Sequence, residues 1–512
     1  MNRSLFFNIV LLLILPAAAL CQKVTYSDFE TEDSRDINFE IIGKMNGNFL
    51  VYKNIKWRHK ISIFNGEDMK IKETVKLDFI PDKTFNVDFI IYPDHFFMVY
   101  QYQKKNILHC MAVRMDGDAK KIGEPVELDT TQIPILADNK IYSTINSEDK
   151  QKIVIFKMPK KNDHYSIVSL LYDSSLKLIS KTRQPLDYND RRDAYTNFLV
   201  DNEGNFIFTK DSKEGNRDNS SSVSLVTKEP MQDTFAYHTI DLQKNYVDEV
   251  KLKIDNLNKH YIINSFYYKR NRGSIDGLFT CVWDTKTTTS NIQGFTAFND
   301  SLREEAKSSG LLRFAMDDYF IRQVFVKKDG GFLLTAEDYS TQGLNANNPW
   351  NRWDYLNSYG YPYSSYSSPY YYYNYNSPFG YYRPLSSFGN NQNTRYYYAN
   401  ILILSADKTG KLEWSRVIHK DQFDDNEDNF LSFSTMNRGG EIHFLFNNDK
   451  NRNQIIANQS LAPNGDITRN PTLKSQERGY EFMTRLSKQV GANQLIIPCS
   501  YRGYICFAKV DF

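Results

Sequence analysis

The eight histidines, His59, His95, His109, His164, His238, His260, His419 and His443, are scattered along the 512-residue chain, and none stands at a metal-pair spacing such as His-Glu-x-x-His. His109 and Cys110 are neighbours, so on a strand they point to opposite faces and cannot chelate one ion together. There is no Gly-x-Ser-x-Gly elbow and no phosphate-binding Gly-Lys-Ser/Thr loop. No catalytic residue, metal or cofactor is assigned from these motifs. Asp421, Asp424, Asp425, Glu427 and Asp428 form an acidic run with oxygen ligands enough for calcium. Their spacing fits no defined calcium loop, and a solvated acidic turn is the simpler reading. A glycan hydrolase would need two carboxylates roughly 5–9 Å apart in a cleft, which linear spacing does not fix.

Binding chemistry is easier to find. The stretch 341–394 is a low-complexity insertion, and between Tyr355 and Tyr382 it holds no charged residue. Tyr370, Tyr371, Tyr372 and Tyr373 are consecutive there, and Trp350 and Trp353 lie at its start. Tyrosine presents a flat apolar ring and a hydroxyl at small entropic cost, so this segment is a candidate adhesive surface for glycan or protein. Composition alone also allows a plain solvated loop. Lys269, Arg270 and Arg272 are a second candidate, for an anionic sugar or phosphate, set against the commoner solvated loop. Cys499 and Cys506 flank Arg502-Gly503. If those two residues form a hairpin loop, the cysteines face each other across paired strands, either as a disulfide or as two half-buried thiols.

The N-terminus, residues 1–21, reads as a secretory signal: Arg3, an apolar run from Leu5 to Leu15, then Pro16 and small residues. Cleavage after Ala19 or Cys21 is expected, leaving 22–512 as the mature, exported chain, in the periplasm, associated with the outer membrane or outside the cell. Cys21 has the position of a lipid acceptor, but Leu20 before it disfavours lipidation. No later segment has the length and apolarity of a membrane span. With 63 basic and 61 acidic residues interspersed, no global field would recruit nucleic acid. Four cysteines after the signal are too few to build a disulfide scaffold of this size.

The elements that must carry these loops form a repeat. Apolar strand, tight Gly/Asn turn, apolar strand, loop, third strand, turn and a more polar fourth strand recur about every fifty residues. Asn46-Gly47, Asp201–Asn205, Asp329-Gly330-Gly331 and Asn464-Gly465 supply the positive φ that such hairpins need. Four strands per unit make a propeller blade, so the fold class is all-β: a single β-propeller of four-stranded antiparallel blades. The last unit offers only three strands before Phe512. Lys23 to Glu30 alternates like a strand and is assigned to complete that unit and close the ring, since an unpaired edge is a liability. Eight blades is the favoured count and seven the alternative; two separate β-domains is a more distant reading. A short helix is expected at 301–309, with Ser301 and Glu304 as a capping box and Gly310 at its end.

The stretches GGFLLTAEDY, YYYANILILSADKTGKLEWSRVIHKDQ and GGEIHFLFNND resemble uncharacterised exported β-propeller-like proteins of Gram-negative bacterial envelopes, over the sixth and seventh units only. The resemblance implies export and a propeller, and carries no catalytic residue. In a propeller, loops joining second to third strands share a face with those joining successive blades. Segments 210–222, 268–277, 301–309 and 341–394 therefore elaborate one face. The expected function is a non-enzymatic binding or scaffolding propeller presenting that face to protein or polysaccharide of the cell envelope. A glycan-active hydrolase or lyase is the competing class, and it would need ionisable side chains converging in a pocket.

Overall fold

The computed structural model describes residues 22–30, 37–81, 84–133, 141–161, 164–189, 192–215, 217–307, 316–343, 352, 394–425, 427–448, 455–474 and 479–512. The second strands of the units, such as His95–Lys104, are largely apolar on both faces and mostly buried on both. Fourth strands such as Ile71–Lys76 are polar and mostly exposed. That gradient places each sheet edge-on to a common axis, with the inner strands packed and the outer strand in solvent.

Among the described residues the strands form seven hydrogen-bonded antiparallel sheets, one of them nine-stranded. The nine-stranded sheet holds two successive four-strand meanders, 193–240 and 251–297, joined through the two-residue strand Tyr246–Val247, which pairs with a strand of each. Counted as meanders, the units are 37–76, 84–132, 143–186, 193–240, 251–297, 319–418, 433–474 and a last one from 480–511 completed by Lys23–Tyr26. The N-terminal strand pairs antiparallel with Tyr504–Asp511, Lys23 opposite Asp511 and Tyr26 opposite Ala508. The ring-closing strand therefore lies where its alternation assigns it.

Because side chains alternate across a strand, each unit offers one apolar face to the unit before it and another to the unit after. Ile262 packs forward on Leu334 and Leu404, whereas its neighbour Ile263 packs back on Ile207 and Leu225. The same arrangement runs through every pair of successive units, and the last returns to the first: Ile496, Ile505 and Phe507 pack on Ile41, Phe49 and Val51. This closed circuit of interfaces makes the fold a β-propeller. First strands of neighbouring units touch one another and form its inner wall. Several carry a β-bulge, as at Ile41–Gly43 and Ile321–Gln323, which turns backbone carbonyls out of the ladder.

Two expectations need correction. The helix spans Asp300–Glu305, and its N-cap is Asn299, whose side chain accepts from the Leu302 amide at 2.8 Å, in place of Ser301. Asn and Ser cap equally well, so composition did not separate them; Gly310 lies outside the described residues. The insertion assigned to 341–394 is shorter at both ends, because its flanking strands run on to Gly343 and start at Thr394, pairing across that level.

Candidate functional site: the elaborated face

Following the chain direction, the loops that join second to third strands, and those that join one unit to the next, emerge on one face. The elaborations there are chained by contacts. Asn271 Oδ1 accepts from the Asp218 and Asn219 amides at 3.2 Å, and the Arg272 amide donates to Asn219 Oδ1 at 2.8 Å. Arg303 of the helix donates to the Asp276 carbonyl at 2.9 Å. Tyr319 and Asn400, at the tops of sixth-unit strands, donate to the Ala306 carbonyl.

Arg352 is the described residue of the insertion, and it is plugged into the body. Its guanidinium forms a bidentate pair with Asp248, 2.6 Å from Nε and 3.1 Å from Nη2, donates to the Tyr319 carbonyl, and lies 4.2 Å from the Phe320 ring centroid. Burial disfavours its charge, but Asp248 outweighs burial and holds it firmly protonated. Tyr268 donates to the same carboxylate at 2.5 Å.

A second buried network lies under the seam of the last three units. Glu337 faces Lys420 at 2.7 Å and Arg322 at 3.3 Å and accepts from Ser432 at 2.6 Å. Tyr398 and Arg485 both donate to Asp428, at 2.9 and 3.0 Å. Burial lowers the Lys420 ammonium despite Glu337, and raises the Tyr398 hydroxyl. These side chains are almost wholly enclosed and bonded to one another, so they tie units together; a substrate would not reach Tyr398.

Nearer the surface the acidic run divides. Asp425 is bidentate with Arg395, at 2.6 and 2.9 Å. Burial pushes the Asp424 and Glu427 carboxyls up to about 7, and repulsion from Asp425 and Glu481 on Asp424, and from Asp424 and Glu481 on Glu427, adds to it. Among the described residues no three His, Cys, Asp or Glu side chains are placed to hold a metal ion.

Exposed aromatics also gather on this face. Trp57 is 52% exposed at a hairpin tip of the first unit, Phe423 50% in the loop after the sixth, and Tyr504 and Phe29 41% and 40% at the top of the last. Phe29 lies 5.7 Å from Tyr501 and 5.6 Å from Tyr504, ring centre to ring centre. Trp57 has φ +67° and Lys56 φ +51°. They form the same two-residue turn that Asn46-Gly47 and Arg502-Gly503 make, but without a glycine. Sequence reasoning missed Trp57; the signal was a two-residue gap between strands with a bulky aromatic in the slot that favours glycine.

Of the residues singled out from sequence, Trp350, Trp353, Tyr370, Tyr371, Tyr372 and Tyr373 lie outside the described residues, as does Cys21. Lys269 and Arg270 are exposed on this face, whereas the Arg272 guanidinium is paired with Asp218, so the three do not act as one cationic patch. Cys499 and Cys506 do face each other across the hairpin as buried free thiols, sulfurs 2.8 Å apart. The histidines do not converge: His59 bonds Tyr52 and His109 bonds Glu127.

No family model matches the chain, and no curated protein matches it in sequence. Among solved structures it is similar to prolyl oligopeptidase B from Galerina marginata bound to a 35mer substrate, at 8% identity and TM-score 0.41, over 92% of this chain and 56% of that one. It thus spans little more than half of that enzyme. It is similar also to the Dos1 propeller, at 9% identity and TM-score 0.40 over 95% of both chains, and to polysaccharide lyase Uly1, at 10% and 0.37 over 83% and 90%. Likenesses of this degree fix neither substrate nor partner.

Proposed function

We propose that the chain is an exported, non-enzymatic binding or scaffolding propeller that presents its elaborated face to polysaccharide or protein of the cell envelope. One observation carries the reading: of the five exposed large aromatic side chains among the described residues, four, Phe29, Trp57, Phe423 and Tyr504, lie on that face, the exception being Tyr237 on an outer strand. Exposed rings stack on sugar faces and anchor protein interfaces. The strands that flank the Tyr-rich insertion end and begin on the same face, at Gly343 and Thr394. Export rests on the N-terminal signal, and no helix among the described residues is long and apolar enough to cross a membrane.

The test is binding of the mature chain to envelope polysaccharide and to envelope protein extract. Deleting 354–392, which spares Arg352 and its pair with Asp248, or replacing Trp57, Phe423 and Tyr504 together by alanine, is expected to leave the melting transition in place and to weaken binding at least about tenfold, since aromatic anchors contribute about 2 kcal/mol each. Binding that survives both changes would sink the proposal. Mass spectrometry of the mature N-terminus distinguishes Leu20, Gln22 and a lipidated Cys21.

A glycan-active hydrolase or lyase is the second reading, and Asp424 with Glu427 favours it, since carboxyls near 7 suit general acid–base work. Glu427→Gln would then abolish turnover of a polysaccharide without altering its binding. If the pair is structural, the same change has a different signature. A carboxyl raised in the folded state costs stability as pH climbs from about 4 to 7, so the variant should gain on wild type at pH 8 and match it at pH 4.

A further inference from the structure

The opposite end of the inner wall carries an arrangement that the binding face does not use. Lys488, on the innermost strand of the last unit, reaches across the ring seam and donates to two carbonyls of the first unit, Ile41 at 2.8 Å and Ile42 at 3.1 Å, which the Ile41–Gly43 bulge leaves accessible. Lys150, from a hairpin of the third unit, donates to the Ile91 carbonyl of the second at 2.5 Å. The inner strands of the first and second units touch here, a Cβ on Gly43 lying 3.7 Å from Ile91 Cδ1, and the two ammonium groups are near enough that Lys150, after burial, helps to lower Lys488. Two ammonium groups thus approach adjacent inner strands from opposite sides. Lys150 holds a left-handed backbone, φ +59°, and its carbonyl accepts from Tyr92 Oη at 2.8 Å.

Among the described residues neither ammonium forms an ion pair with a carboxylate. Glu40, on the same inner strand as Ile41, is the carboxylate whose field reaches Lys488; Lys44 is occupied by Gln494 at 2.8 Å. An ammonium has three N–H donors, and the carbonyls take two from Lys488 and one from Lys150, so both retain donors. Two half-buried positive charges, each held by neutral carbonyls and with donors to spare among the described contacts, favour an anion between them.

We propose that the lower end of the central channel binds a small oxyanion, of phosphate, sulfate or carboxylate type, between Lys150 and Lys488. This site is independent of the elaborated face and stands or falls apart from it. The experiment is titration calorimetry and thermal melting of the mature full-length protein with sodium phosphate, sulfate and acetate against chloride at equal ionic strength. A saturable single-site response to any oxyanion is expected, and the pattern across the arms separates phosphate- and sulfate-like ligands from carboxylates. Lys150→Gln and Lys488→Gln should each weaken it about tenfold, as loss of one charged hydrogen bond does, while Lys44→Gln leaves it unchanged. If Lys488→Gln fails to fold, Lys150→Gln decides alone. No response beyond chloride, or one that Lys150→Gln leaves intact, overturns the proposal.

Discussion

Replacing Arg352 by alanine removes one partner of a pair in which both side chains are almost fully buried. Asp248 is then left charged and enclosed, a loss of about 3–5 kcal/mol, because the carboxylate keeps its desolvation cost without its partner. Arg352→Ala should therefore lower the denaturation midpoint strongly, and Asp248→Asn less, since an amide can still accept from Tyr268. Trp57 is the opposite case. A bulky residue in the left-handed region costs about 1–2 kcal/mol, so Trp57→Gly is expected to raise stability by about 1 kcal/mol while reducing ligand binding. A variant no more stable than wild type would mean that the indole makes compensating contacts. Such residues were hardly legible in the sequence. Arg352 sits in a compositionally bland stretch, and its partner is 104 positions away. Buried ion pairs leave no local periodicity to read.

At the scale of the element, alternation and turn chemistry were legible because both are local. Asn46-Gly47 and Arg502-Gly503 turn where their residue types require, and Lys23–Tyr26 pairs where its alternation and the missing fourth strand place it. What local rules did not supply was the bolt behind that strand. Glu30 lies 3.1 Å from Lys53 and 3.2 Å from Lys60 of the first unit, so it pins the closing segment across the seam. Burial would raise its carboxyl, but the two ammonium groups prevail and lower it. A depressed folded-state value means that this contribution is present above the ordinary glutamate range and is lost as pH falls through the folded value. Glu30→Gln should thus cost about 1–3 kcal/mol at pH 7, the range for a hydrogen-bonded charge, and almost nothing at pH 2–3. Equal losses at both pH values would show that the ion pairs do not carry the effect.

At the scale of the whole molecule, the buried polar networks lie on the interfaces of the circuit. Glu337, Lys420, Asp428 and Arg485 span the sixth to eighth units, Glu30 the eighth and first, and Asp129 with Lys157 the second and third, so buried charge bridges several of the interfaces between units, the seam and the one beside the insertion among them. The pairing of residues 23–26 with 508–511 also sets an order of events. A chain made N-terminus first must hold its opening strand without a mate until the final residues arrive. Every earlier hairpin can zip as it emerges, yet the circle itself is completed last, by the two segments most distant in time.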